Sequence, residues 1–208
     1  MKCWCSVASL LVGAVLCGTV LALGVAAQAL ADAERGRAVF TAKHCARCHA
    51  PGGLQGVGPA LERLRRPQGA YELAGRLWNH APGMFTVLKQ EGLGWPAISA
   101  AEMADLMAYL QADPKGDPAP DVSKGRMTLI SKGCLKCHSF RREGGHLGPD
   151  LAERRADYAP ASTWAATMWS HTPRMAAAAI QQGVLYPRFT GDEMVNLLGF
   201  LRTGAGAP

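Results

Sequence analysis

The chain has 208 residues, is 49% hydrophobic and 18% charged, and sets 22 lysines and arginines against 16 aspartates and glutamates, for a formal net charge of +6. That composition excludes an intrinsically disordered chain and a collagen-like repeat. The length admits one large domain or two small ones.

Lys2 precedes an uncharged run that closes on Ala29-Leu30-Ala31, just before Asp32 and Glu34. A positive start, an apolar stretch and a small-x-small end predict a signal peptide over 1–31, cleaved after Ala31. Left uncut, the same run is long enough to act as a membrane anchor. The expected location of the remainder is periplasmic, with membrane attachment only if the segment stays on. Cleavage removes Cys3, Cys5 and Cys17 and leaves Cys45, Cys48, Cys134 and Cys137.

Residues 33–43 have helical spacing and run into Cys45-Ala-Arg-Cys48-His49; the same pattern returns as Cys134-Leu-Lys-Cys137-His138. Each is a C-x-x-C-H, the attachment signature of c-type haem. Two thiols one helical turn apart can add to the two vinyl groups on one porphyrin edge, and the adjacent histidine is then aimed at the iron. A thioredoxin-like dithiol, two arms on one zinc, and two structural disulfides are the competing readings. The dithiol and the disulfides need no histidine after the second cysteine, and the two arms lie far apart in the chain. The spacing therefore predicts two covalently bound haems.

Beyond the cysteines the copies continue in step. Gly36-Arg37 matches Gly125-Arg126, Lys43 matches Lys132, and Gly58-Pro59-x-Leu61 matches Gly148-Pro149-x-Leu151. Trp78-x-His80-x-Pro82-x-Met84 then matches Trp169-x-His171-x-Pro173-x-Met175, and Glu102-Met103 matches Glu193-Met194. Self-similarity at nearly constant offset predicts two homologous modules, 32–112 and 121–208, separated by a proline-rich linker over 113–120 that is incompatible with helix. Glycine-rich runs over 51–58 and 143–148 are expected loops. Ser99-Ala-Ala-Glu102 and Thr190-Gly-Asp-Glu193 are expected capping boxes opening a terminal helix whose apolar face holds Met103 or Met194. Nothing reads as a sustained strand, so the fold class is all-α.

On these motifs each half resembles a class I cytochrome c, and the whole resembles a periplasmic dihaem cytochrome c of two tandem modules, each a few helices wrapped around one haem. The resemblance implies that an N-terminal helix crosses a C-terminal one, placing Gly36 and Phe40 near Tyr109 and Gly125 and Leu129 near Phe200. It also implies that the carbonyls of Pro59 and Pro149 accept a bond from the proximal histidines His49 and His138, fixing ring orientation. The family's distal methionine commonly precedes a proline, yet Trp95-Pro96 and Tyr186-Pro187 occupy those positions. Met84 and Met175 are the favoured sixth ligands, with His80 and His171 as alternatives at the same helical spacing. Trp78 and Trp169 are expected to pack against the porphyrin or close the crevice, or to sit in the core. His44 and His146 lack counterparts in the other copy and are assigned to the surface.

Module 32–112 carries nine basic and seven acidic residues, and 118–208 carries eleven and seven. Arg126, Lys132, Lys136, Arg141 and Arg142 cluster around the second motif, forming either a rim that steers an acidic redox partner or a solvated face. Nucleic-acid binding is not expected. The implied activity is one-electron transfer as a monomer or as a subunit, rather than enzymatic turnover. The alternatives are a haem subunit of a larger periplasmic oxidoreductase, a dihaem peroxidase and a small-gas binder.

Overall fold

The computed structural model describes residues 30–50, 58–61 and 67–203. The signal-peptide segment lies outside the described residues except Leu30 and Ala31, and the first glycine-rich run lies outside them except Gly58. From Ala31 on, the described residues are mostly helical and belong to one compact unit, Ala31–Pro208. Its α-helices are α1 (Ala33–Ala42), α2 (Cys45–His49), α3 (Ala70–Gln90), α4 (Ala100–Tyr109), α5 (Val122–Ser131), α6 (Ala161–Gln181) and α7 (Glu193–Thr203). Among the described residues, extended structure is confined to two-residue pairings, Gln68–Gly69 parallel to Ala112–Asp113 and Ser139–Phe140 antiparallel to Glu143–Gly144. The second of these enters a run expected to be loop throughout.

The helix starts follow local chemistry. Asp32 caps α1 by accepting from the Arg35 N–H at 2.8 Å, and Asp121 caps α5 by accepting from the Lys124 N–H at 3.0 Å. Ser99 forms the expected capping box: its hydroxyl accepts from the Glu102 N–H at 3.2 Å, and Glu102 accepts from the Ser99 N–H at 2.8 Å. Its counterpart departs from expectation. Thr190 donates both its N–H and its hydroxyl to Glu193, while the Glu193 N–H turns to the Thr190 carbonyl. The hydroxyl is thereby spent on the carboxylate, and helix begins only at Glu193.

In each half the N-terminal helix crosses the C-terminal one, α1 on α4 and α5 on α7. The crossing points are glycines. A Cβ on Gly36 would strike the Asp105 carbonyl oxygen and lie 2.7 Å from Tyr109 Cβ; one on Gly125 would strike the Asn196 carbonyl oxygen and lie 2.7 Å from Phe200 Cβ. Phe40 meets Tyr109 with ring centroids 5.3 Å apart, and Leu129 is buried. Both halves also tie the start of one helix to the middle of the other. The Asp32 N–H donates to Asp105 and the Asp121 N–H to Asn196, each at 2.8 Å, while Lys43 pairs with Glu102 at 2.9 Å and Lys132 with Glu193 at 2.7 Å.

Asp105 also takes a two-pronged bond from Arg35, at 2.9 and 2.8 Å. Hydrogen bonding to that guanidinium, outweighing desolvation, holds the carboxyl below its ordinary 3.8; the Ser99 N–H and Lys43 likewise hold Glu102 below 4.5. Because the folded-state values are the depressed ones, the stability these groups add is complete above the unfolded-state values and is lost as pH falls through the folded ones. Urea-unfolding midpoints should therefore hold steady from neutral pH to about 5 and decline below about 4. Asp105→Asn should flatten that decline.

The linker is more ordered than a spacer, and the expectation of helix-incompatibility fails locally. Pro114–Gly116 forms a 3-10 turn, with Asp113 capping it through the Lys115 N–H. Proline at the first position of such a turn loses no hydrogen bond, which is why the composition misleads. Asp117 then reaches back to cap α3, accepting from the Tyr71 N–H at 3.1 and 3.0 Å.

The long helices α3 and α6 pack on each other, α6 also on α4, and α3 also on α7. Their buried positions are dominated by alanine, glycine and tryptophan, including Ala74, Gly75 and Trp78 on one helix and Ala165, Ala166 and Trp169 on the other. Small side chains let the backbones approach while the indoles fill the remaining space. Met103 and Met194 are 0% and 1% exposed, in the core as expected.

Candidate functional site

Cys45, Cys48 and His49 share the single turn of α2, which starts from His44 in a left-handed conformation at φ 67°. Cys134 opens a 3-10 turn after Gly133 at φ 72°, with Cys137 and His138 directly following. None of Cys45, Cys48, Cys134 and Cys137 is paired in a disulfide, and burial pushes the Cys45 and Cys134 thiols up to about 11. Among the described residues no cluster of three or more His, Cys, Asp or Glu gathers to hold a bare ion, so the four cysteines do not meet around one zinc.

The proximal histidines are oriented alike. His49 Nδ1 lies 3.0 Å from the Pro59 carbonyl oxygen and His138 Nδ1 lies 2.9 Å from that of Pro149. A carbonyl can only accept, so Nδ1 carries the proton and Nε2 keeps its lone pair for a metal. Behind each ring sits a glycine. A Cβ on Gly58 would come within 2.6 Å of His49 Cε1, and one on Gly148 would strike His138 Cε1 and lie 2.5 Å from Nδ1. The Gly-Pro-x-Leu motif thus combines an acceptor for the ring with room for it.

In the second half Asp150 adds a support; Ala60, which has no acceptor side chain, stands at the matching position of the first. Asp150 accepts from the Arg142 N–H at 2.6 Å, the Ala152 N–H at 2.8 Å, the Ser139 hydroxyl at 3.0 Å and the Arg141 N–H at 3.2 Å. Desolvation raises its carboxyl, but these donors outweigh it and leave the group below its ordinary value. The bonds secure Arg141 and Arg142, both left-handed at φ 55° and 68°. The motif reading missed Asp150; an acid beside the Gly-Pro pair and close to a hairpin was the available signal.

A cavity of about 710 Å³ opens beside the second motif, lined by Cys134, Cys137, His138, His171, Met175 and Trp78, among others. Both sixth-ligand candidates of that half therefore face the same space. His171 Nδ1 lies 2.6 Å from the Thr167 carbonyl and His80 Nδ1 2.7 Å from the Arg76 carbonyl, one helical turn back in each case. Met84 and Met175 pack against the core, whereas His80 is exposed. His44 and His146 are exposed, as expected.

The tryptophans do not stay within their own halves. Trp169 donates its indole N–H to the Pro96 carbonyl at 2.8 Å and stacks on Trp95 with ring centroids 4.0 Å apart. Trp95 returns the bond, donating to the Trp169 carbonyl at 2.9 Å. Pro173, four residues further on, explains why that carbonyl is open: proline has no N–H to complete the helical bond. The Trp-Pro and Tyr-Pro dipeptides standing where the family's methionine-proline would be are thus contacts between the halves.

The donor set fits a c-type haem. Two thiols and an oriented imidazole nitrogen stand together, and a glycine keeps the ring's flank clear. Residues 33–112 match the model of the family described as Cytochrome c. The match covers less than half of the chain and makes residues 33–112 similar to a domain that carries a covalent c-type haem with iron, serves electron transfer and is typically exported. No curated protein and no solved structure matches the chain. Among the described residues no helix is long and apolar enough to cross a membrane.

Proposed function

We propose that the chain is an exported dihaem c-type cytochrome, in which residues 121–208 form a second haem module and each iron carries one electron at a time between redox proteins. The observation that carries this reading is the recurrence of one proximal arrangement: a Cys-x-x-Cys-His turn whose histidine Nδ1 faces a Gly-Pro carbonyl, at 3.0 Å in one half and 2.9 Å in the other. The shared helix crossings and the paired Lys43–Glu102 and Lys132–Glu193 bridges support it further. When bound, the haem supplies the Fe(III)/Fe(II) couple; the chain supplies ligation and an apolar surround.

We assign Met84 and Met175 as sixth ligands because a flexible thioether suits an apolar crevice and Met175 lines one cavity with His138, with His80 and His171 as the alternatives. Methionine opposite histidine gives a higher reduction potential than two histidines. The reading expects a mass increment of two haems on the intact protein from its own cells, and in the oxidised state a long-wavelength sulfur-to-iron charge-transfer band. Met84→Ala and Met175→Ala should each remove part of that band. One haem by mass overturns the dihaem reading, and a low-spin spectrum without the band moves ligation to the histidines.

The cavity beside the second motif favours a partner with acidic groups around an apolar patch. Leu147 and Leu185 at its rim are 63% and 94% exposed, and Lys136 and Arg174 also line it. Lys132 is engaged with Glu193, which thins the basic cluster read from sequence. A larger oxidoreductase that uses this chain as its haem subunit would dock on the same surface.

A further inference from the structure

Helix α3 of the first half builds a wall of the second half's cavity. Trp78 is buried, donates its indole N–H to the Pro187 carbonyl at 2.6 Å, stacks on Tyr186 with centroids 5.0 Å apart at 20°, and meets Phe189 edge-on at 5.7 Å. Its neighbour Asn79 grips the Phe189 backbone from both sides, donating to the carbonyl at 2.6 Å and accepting from the N–H at 2.8 Å. The matching position in the second half is Ser170, whose hydroxyl bonds within its own helix, so this clamp acts in one direction only. Tyr186, Pro187 and Phe189 line the cavity that holds Cys134, Cys137 and His138. Among its described lining residues, Trp78 alone comes from the first half.

We infer that Trp78 is a positioning residue for the haem centre of the other module: it holds the Tyr186–Phe189 wall in place and keeps water from that crevice. The inference rests on the reading of a haem at Cys134, Cys137 and His138. Its physical basis is that the apolar shell around a metal controls solvent access and local dielectric, and through them the potential. Water reaching the crevice stabilises the extra charge of the ferric state. Loss of the wall therefore lowers the potential of the second centre, even though Trp78 belongs to the first.

The test is a spectroelectrochemical titration of the intact holo-protein and of its Trp78→Ala and Trp78→Phe variants. Single-haem proteins made by Cys45→Ala with Cys48→Ala, or by Cys134→Ala with Cys137→Ala, assign each potential to its centre. Trp78→Ala should lower the second potential and leave the first in place. Trp78→Phe keeps an aromatic wall but loses the N–H, so it should shift the same centre in the same direction by less. It carries the test alone if the alanine variant does not fold. A second potential that stays put, or equal shifts in both centres, overturns the inference. A wild-type mass with one haem overturns the dihaem reading itself, so the two failures are told apart.

Discussion

Gly36→Ala and Gly125→Ala should each destabilise the folded chain by about 3 kcal/mol, the upper end of the usual cost of overpacking a tight contact. Alanine is the better helix former by roughly 1 kcal/mol, so propensity alone predicts the opposite sign. The close approach decides. The new methyl at either site would run into a carbonyl of the crossing helix, Asp105 or Asn196, and also lie 2.7 Å from the Cβ of Tyr109 or Phe200. Those are backbone and near-backbone atoms that cannot rotate away, so the helices must separate and expose Phe40 and Tyr109, or Leu129 and Phe200. Gly83, inside α3 with nothing within 4 Å of its would-be Cβ, is the internal control. Gly83→Ala should gain up to about 1 kcal/mol. Denaturant unfolding of the three variants checks both signs, and equal small effects at all three would contradict the crossing geometry.

What could be read from sequence was whatever is local or recurs. The Cys-x-x-Cys-His turns, the Ser99 cap and the buried Met103 and Met194 rest on short-range chemistry or on a pattern present twice, whereas the glycine crossings followed from the family resemblance. The Thr190 cap was misread because its hydroxyl has two competing partners, and spacing does not say which wins. What stayed hidden were contacts between the copies. Trp78 and Trp169 recur within the ligand motif, and that recurrence fits a haem-facing role, a core role and an inter-module role equally well. The discriminating signal lay in Pro82 and Pro173, four residues beyond the tryptophans. A proline there frees the tryptophan carbonyl, and in α6 that carbonyl receives Trp95 from the other half. Substitution of tryptophan and tyrosine for the family's distal methionine belongs to the same exchange. Asp117 in the linker was equally invisible, since a side chain that caps a helix more than forty residues earlier leaves no local pattern.

With the two haems proposed for the chain, Gly58→Ala and Gly148→Ala should each disable proximal ligation in one centre while leaving the other intact. The methyl has nowhere to go: at Gly148 it would strike His138 Cε1 and lie 2.5 Å from Nδ1, and the backbone beneath is pinned because the Gly148 N–H donates to the Cys137 carbonyl at 2.8 Å. The imidazole must turn instead, breaking its 2.9 Å contact with the Pro149 carbonyl and swinging Nε2 off the iron direction. Loss of such an orienting partner commonly weakens metal binding by roughly 10–100-fold. Haem content should not change, because the thioethers to Cys134 and Cys137 form independently of the histidine's orientation. The expected result is therefore full haem mass with half of the low-spin absorption replaced by high-spin absorption, in Gly58→Ala for the first centre and Gly148→Ala for the second. Combining the two should convert the whole protein. The first half is slightly more tolerant: its would-be Cβ lies 2.6 Å from His49 Cε1 and 2.8 Å from Nδ1, against a direct clash with Cε1 and 2.5 Å from Nδ1 in the second half, and Ala60, which cannot accept the bonds that Asp150 takes, stands at the matching position. Gly58→Ala should accordingly retain more low-spin character than Gly148→Ala, and spectra of equal severity would mean that Asp150 does not stiffen the proximal loop.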